Sequence, residues 1–472
     1  MPRPAMHSGS GIREAMPHAA DRRGTLNSPV IRTMKKRMTF WLPSPLCAVL
    51  LATCWPCGAA RGAALSMEGA VQVALMGNRD LAAARFVVAK AEGRLRQAGL
   101  LPNPDIEFNG FSDFITSGDG EGEFIIGLHQ VLPLTARLSL AREVSRVGVA
   151  EALREVRNHE RLLIARVEEL YVRTQAARLR SAAADEARAD AAASSGLAAT
   201  RLSAGQGTLA ESALARVEEQ RWGNMATGAA TEAEVLLLDL KTAAGLPAEA
   251  PLALTQTLES AVADLRARAG AAGVAIRPDV ELALLGLDRA GAETRLAQAS
   301  AWEGIRVGVE YMQDRGVNAP GGIDTGYFLG VKISLPLPVW DNKTGDIEVA
   351  RATEEERTAR VRALELEVGN DIASARRRVS LLEEQWRRYG RETQPVIDEA
   401  GREMLQGFEQ GRVEARDLLL VRAESTALRV EATRIIENLA LALIDLEAAG
   451  GTHPALAAPY LEEKPLHRRK KP

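Results

Sequence analysis

The chain of 472 residues carries three cysteines and six histidines, the side chains most often recruited as nucleophiles, bases or transition-metal ligands. Their spacing fits none of those tasks. Cys47, Cys54 and Cys57 fall together in one N-terminal apolar segment, and His129, His159, His453 and His467 lie far apart, with no metal-ligand spacing between them. No G-x-S-x-G elbow, P-loop or HExxH motif occurs. The Glu and Arg residues that recur along the helical stretches read as surface ion pairs rather than acid–base partners. The residues therefore predict no enzyme, no cofactor and no metal centre. His129 alternates with the polar positions of a strand, where a lone imidazole is more often incidental than functional.

The elements around these residues are long and repetitive. Aromatics make up 4% of the chain, the formal charge is -3, the pI is near 6.2 and the mean hydropathy is -0.11. A chain poor in aromatics and rich in Ala, Leu, Glu and Arg suits long helices packed side by side. The charge gives no footprint for nucleic acid, and beyond the N-terminal region no apolar run is long enough for a membrane-spanning helix.

The N-terminus reads as an export signal. Lys35, Lys36 and Arg37 precede a short apolar core, Phe40 to Cys54, and small residues follow with cleavage positions after Ala60 or Ala64. Residues 34–60 are thus expected to be a signal peptide, and 1–33 an extension or a misassigned start. All three cysteines would be lost with it. Leu51-Ala52-Thr53-Cys54 is a poor match to a lipoprotein box, which leaves lipidation of Cys54 open.

The remainder divides into two similar halves, 65–245 and 277–450, joined by an irregular stretch at 246–276 and followed by a basic tail at 451–472 that reads as disordered. In each half a helix is followed by a strand, a Gly-rich loop, a second strand, a Leu-Pro-Leu corner, a long helix, a glycine turn and a returning helix. AEGRLRQ (91–97) matches AETRLAQ (292–298), LPL at 132–134 matches LPL at 335–337, and Gly207 matches Gly411. The segment Met67–Leu100 is expected to be one helix, stopped by Pro102 and Pro104. Val149, Leu153, Val156, Leu163, Val167, Leu170, Thr174 and Ala177 step by three and four, with one heptad skipped, along an unbroken stretch from Ala136 to Ser203. A helix of that length reaches roughly 100 Å. The second long helix is expected to start after the capping residues Asp341 and Asn342 and to be kinked by Pro395.

Strands are expected at 105–114, 124–131, 305–311 and 327–335, alternating apolar with polar over seven to ten residues, close to the 9–11 that cross a bilayer in a barrel. Four such strands cannot close a barrel, and lipid does not tolerate open sheet edges, so a membrane role requires oligomerisation.

LLPNPDIEF (100–108), RPD (277–279), LPLPVWDNKTGDI (335–347), AGQGTLAESAL (204–214) and EQGRVEARDLL (409–419) resemble the TolC-like outer-membrane factor family over nearly all of Met67–Gly450. The LPLP-Val-Trp-Asp-Asn run and PNPDIEF are most similar to its heavy-metal-efflux (CzcC-like) branch. The resemblance implies a mainly α chain with a small membrane β part, forming a homotrimer with a twelve-stranded β-barrel in outer-membrane lipid above a twelve-helix barrel in the periplasm. It implies an exit duct of a tripartite efflux system, passing substrate, heavy-metal cations in that branch, from a periplasmic adaptor (membrane fusion) protein and an inner-membrane pump of the resistance-nodulation-division type. It places Gly205, Gly207, Gln410, Gly411 and Arg412 at hairpin tips that meet the adaptor, and Asp417 at the periplasmic entrance. Ala213 holds the matching position in the first half. Glu211, Arg412 and Arg416 could form ion pairs at the tips, and Trp302 and Trp340 flank the strands where an aromatic girdle would sit.

Two other classes stay in view. A soluble periplasmic coiled-coil adaptor or scaffold also has long helical hairpins, but it would not need duplicated strand hairpins of bilayer length. An enzyme on the same scaffold would need a site that the sequence does not offer.

Overall fold

A computed structural model describes residues 63–113, 120–271, 276–318, 320–410 and 412–457, all within one compact unit. The expected extension and signal peptide, the cysteines, Gly411 and most of the basic tail lie outside the described residues.

The longest element is α3 (Arg137–Ser203), unbroken for 67 residues because nothing between Ala136 and Ser203 interrupts helical hydrogen bonding. Val156, Val167, Leu170, Thr174 and Ala177 of its expected seam are buried. Two shorter helices run back along it end to end, α4 (Leu209–Ala243) and α6 (Pro278–Ala299). The antiparallel course of α6 is laid out by ion pairs: Arg154 to Glu281 at 3.0 Å, Arg289 to Glu151 at 3.0 Å and Arg295 to Glu143 at 2.8 Å. In the second half the long rod is α7 (Thr344–Arg388), a π-helical turn (Tyr389–Thr393) and α8 (Gln394–Glu409), and α9 (Ala415–Gly450) returns beside both. The break falls at the π turn just before Pro395, where Trp386 stacks on Tyr389 and Tyr389 donates to Gln394 Oε1 at 3.0 Å. Helix α7 buries only Val361 and Ala375 and leaves Val349, Leu366 and Leu381 exposed.

Three expectations need correction. Met67–Leu100 is two helices, α1 (Met67–Gly77) and α2 (Arg79–Gln97), because Asn78 turns the chain. Its Oδ1 accepts from the Leu81 N–H at 2.8 Å, capping α2, and its Nδ2 donates to the Ala243 carbonyl at 2.9 Å. The stretch after Gly245 is not irregular throughout. It holds a short strand, Leu252–Leu254, paired in parallel with Ala63–Leu65, and a helix α5 (Leu258–Ala271). Asp341 and Asn342 do not cap α7 as its N-cap; Lys343 does, at φ 61°, while Asp341 Oδ1 and Asn342 Oδ1 accept from the Lys343 and Thr344 amides.

The main core forms a belt at mid-length, where α1, α5 and α9 close on the middle of α3 and the end of α4. Val71, Val167, Leu170, Tyr171, Leu240, Leu258, Leu265 and Leu439 are fully buried there. Tyr171 fixes the belt to the small parallel sheet: its hydroxyl donates to the Leu65 carbonyl at 3.1 Å and accepts from the Gln256 N–H at 3.2 Å. The RPD motif is also structural. Arg277 grips Asp279 with Nη2 at 2.6 Å and Nε at 2.8 Å, and reaches Asp371 of α7 at 3.1 Å. Burial works to raise the Asp279 carboxyl, but the Arg277 hydrogen bonds outweigh it and hold the group below the usual carboxylate range.

At one end of the helices stands a four-stranded antiparallel sheet in the order β1 (Asp105–Ser112), β2 (Gly122–Leu132), β3 (Ile305–Asn318), β4 (Gly322–Ser334). The second hairpin is longer than its alternation predicts, with Asn318 opposite Gly322.

Tyr171→Phe keeps the packing but leaves the part-buried Gln256 N–H without its acceptor. The expected cost is about 1–3 kcal/mol, visible as a lower denaturation midpoint of the detergent-extracted protein. An unchanged midpoint would remove Tyr171 as the tie between belt and sheet.

Candidate functional site

The sheet register sorts the strand residues onto two unlike faces. Ile106 and Phe108 of β1, Ile126 and Leu128 of β2, Val309 and Tyr311 of β3 and Leu329 and Val331 of β4 lie side by side across the strands. All are exposed, Leu329 at 79%. An apolar patch spanning a whole sheet is far more than a soluble monomer ordinarily leaves uncovered. The opposite face is polar over the two rows nearest the helices. Glu107, Gly127, Glu310 and Gly330 form one row across it, and Asp105, His129, Gly308 and Lys332 form the next. Lys332 Nζ lies 2.9 Å from Glu310 Oε1, and Arg306 reaches Asp105 at 4.0 Å. The outer edges of β1 and β4 carry no ladder partner among the described residues. Trp302 stands just before β3, and Trp340 lies beyond β4 at 95% exposure.

At the far end of the helices are the two expected tips. In the first, Gly205 takes φ 72°, the left-handed conformation that ends α3, with Gln206 N donating to Arg201 O at 2.8 Å. A Cβ at Gly207 would meet the Leu202 amide at 3.1 Å. Thr208 and Glu211 then form a reciprocal capping box that starts α4. In the second tip Gln410 ends α8, and the Arg412 and Val413 amides both donate to the Gly407 carbonyl, at 2.7 and 3.1 Å. Of the expected ion pairs, Arg416 reaches Glu211 at 3.8 Å, and Arg412 instead bonds the Gln410 side chain. Sequence reasoning missed the pair Arg201–Glu414 at 3.3 Å, which joins the tips from residues outside both turns. Asp417 is exposed in the first turn of α9.

Between sheet and tips the fold assembles a buried charged cluster that no spacing in the sequence signals. Oxygens of Glu168 on α3 and Glu447 on α9 and a ring nitrogen of His453 come within 4.8 Å of one another. That donor set could hold a metal ion, but a cation is already at its centre. Arg268 of α5 places Nη2 2.6 Å from Glu168 and 3.1 Å from Glu447, and Nη1 2.9 Å from His453 Nε2. The Ala455 amide meets the other ring nitrogen at 3.1 Å. One guanidinium thus faces two buried carboxylates. Burial pushes the Glu447 carboxyl up, against the pull of Arg268 and with the push of Glu168, and its two oxygens accept no well-formed hydrogen bond.

The fold has close likenesses among solved structures. CusC, whose structures follow folding and transmembrane channel formation, superposes with a TM-score of 0.65 at 17% identity, covering 83% of this chain and 93% of that one. The Campylobacter jejuni CmeC outer membrane channel gives 0.64 at 16% identity, over 82% of this chain and 85% of that one. The open state of the Neisseria gonorrhoeae MtrE outer membrane channel gives 0.63 at 19% identity, over 82% and 88%. No family model matches the sequence, and no curated protein does. The structural neighbours are TolC-family outer-membrane efflux channels, as the sequence resemblance implied, and at these identities the likeness is one of fold.

Because the folded Glu447 holds its proton above the ordinary carboxylate range, its favourable contribution is complete below the unfolded value near 4.3 and is lost as pH rises through the folded value. Glu447→Gln removes that loss. The melting temperature of the variant relative to the native protein is expected to rise with pH from about 4.3 up to the folded value of Glu447 and to level off above it. A difference independent of pH would exclude a protonating Glu447.

Proposed function

We propose that this chain is one third of an outer-membrane exit duct for a tripartite efflux system. One observation carries the reading: a four-stranded sheet, with an exposed apolar band across all four strands of one face and unpaired at both edges, stands on helices of roughly 100 Å. Lipid would cover the apolar face, and backbone groups at the edges need partners there. Edge β4 of one chain would pair with edge β1 of the next, and three chains would close a barrel of twelve strands. The polar face would line the lumen. Trp302 and Trp340 would sit at the membrane boundary.

The same assembly would pair helices between chains, which accounts for the exposed apolar residues along α7. The tips at Gly205–Gly207 and Gln410–Arg412 would meet a periplasmic adaptor coupled to an inner-membrane pump of the resistance-nodulation-division type. Asp417, repeated three times around the entrance, would favour cations over anions. The duct is passive and performs no catalysis, and heavy-metal cations are the substrate class favoured by the sequence branch it resembles.

Light scattering on protein extracted from washed outer membranes, corrected for detergent, should give the mass of three chains. A monomer, or protein found only in the soluble periplasm, would replace the duct with the adaptor reading. In reconstituted bilayers Asp417→Asn should lower the cation-to-anion permeability ratio with the trimer intact. An unchanged ratio would take Asp417 out of the entrance.

A further inference from the structure

The polar rows of the sheet hold a histidine in an unusual setting. His129 is 1% exposed, yet neither Nδ1 nor Nε2 has a hydrogen-bond partner among the described residues. Buried polar atoms are nearly always satisfied, so an exception asks for a role. Two glycines make room for the ring. A Cβ at Gly308 would come 2.0 Å from Nδ1, and one at Gly127 would come 2.5 Å from Nε2. Nε2 lies within ion-pairing reach of a carboxylate on each flanking strand, Glu107 Oε2 of β1 at 3.3 Å and Glu310 Oε1 of β3 at 3.5 Å. Lys332 Nζ of β4 is 2.9 Å from the same Glu310 oxygen. Asp105 of β1 stands opposite His129 in the register, and Arg306 of β3 reaches Asp105 at 4.0 Å.

We propose that His129 is a proton-binding site whose charge sets the ion selectivity of the lumen wall. Imidazole is the side chain that ordinarily gains a charge between pH 8 and pH 5. A neutral ring has one N–H and can serve one carboxylate at most. An imidazolium is a partner for both Glu107 and Glu310 at once. The wall charge changes with it. Asp105, Glu107 and Glu310 face Arg306 and Lys332, so a neutral ring leaves one negative charge in each chain and a protonated ring leaves none. Three chains around one lumen multiply that step, and charged side chains ringing a pore select ions of the opposite sign. The inference rests on the proposed duct for the lumen and its threefold repeat; protonation of the ring needs just the sheet.

Two measurements test it. The first is solid-state NMR of 15N-histidine-labelled protein in lipid, where the nitrogen shifts separate neutral from protonated imidazole. The His129 signal, identified by its absence in His129→Gln or its response in Glu107→Gln, should convert to the protonated form between pH 8 and pH 5. The conversion should move to lower pH in Glu107→Gln, which removes an attraction for the imidazolium. It should move to higher pH in Lys332→Met, which removes a repulsion. Both side chains are half-exposed, so these variants keep the test open if His129→Gln fails to fold. The second measurement is the cation-to-anion permeability ratio in reconstituted bilayers. It should fall from pH 8 to pH 5 in the native protein and in His159→Gln, and stay level in His129→Gln. A ring that does not convert in this range overturns the proposal, as does an unchanged pH response in His129→Gln. A native channel whose ratio stays level keeps the duct and removes the proposal. A ring that converts in a protein without conductance removes the duct, and the lumen charge with it.

Discussion

A helix of 67 residues presents an apolar stripe for roughly 100 Å, and no other single helix among the described residues is long enough to cover it. This constraint organises the molecule. The stripe is covered by α4 from the tip to the belt and by α6 from the belt to the sheet. Where those two meet end to end, α1, α5 and α9 fill the gap with the largest core of the chain. The second half solves the same problem with a broken rod, and the two halves lock at mid-length through the Arg268 cluster, to which Glu168 comes from one half and Glu447 from the other. The coverage is incomplete within one chain, since the outer side of α7 and a whole face of the sheet stay bare. A second copy and a bilayer are what those surfaces require under the proposed function.

Much of this was legible because the signals are periodic. The three-four seam of α3, the alternation of the strands and the paired LPL corners each repeat often enough to overrule a local ambiguity, and the internal duplication checks one half against the other. What escaped is non-periodic. The break at Asn78 depends on an acceptor at Ala243, far along the chain, so the sequence around it reads as continuous helix. Helix α5 lies in a stretch flanked by prolines and glycines, and its apolar residues face a core contributed by four other helices. The tips were placed by glycine and capping signals, but the Arg201–Glu414 pair that joins them was not, because surface charges have many equivalent partners.

The charged clusters show the same divide most sharply. His453, Glu168, Glu447 and Arg268 meet from four separate segments, and no spacing could announce them. Around His129 the sequence did hold a clue of another kind. Gly127 and Gly308 interrupt otherwise well-formed strands, where glycine weakens pairing and often marks a close approach. Once the register sets each beside the same imidazole, the two weak points acquire one cause. Glycine at these two positions is a seat for a side chain rather than a flaw in the ladder.

The π-helical turn at Tyr389–Thr393 has a consequence of phase. One residue more per turn rotates everything after it by about 100° relative to an uninterrupted α-helix. The stripe that faces α6 and α9 along α7 is thereby re-aimed before α8, which packs chiefly on α9. The rod can answer two different neighbours above and below the belt without a loop. In the first half that task falls to the gap between α4 and α6. The duplicated units therefore solve one angular problem by opposite means, one by breaking the partner and the other by winding an extra residue into the rod. Sequence change can then adjust the azimuth of the lower half independently of the upper.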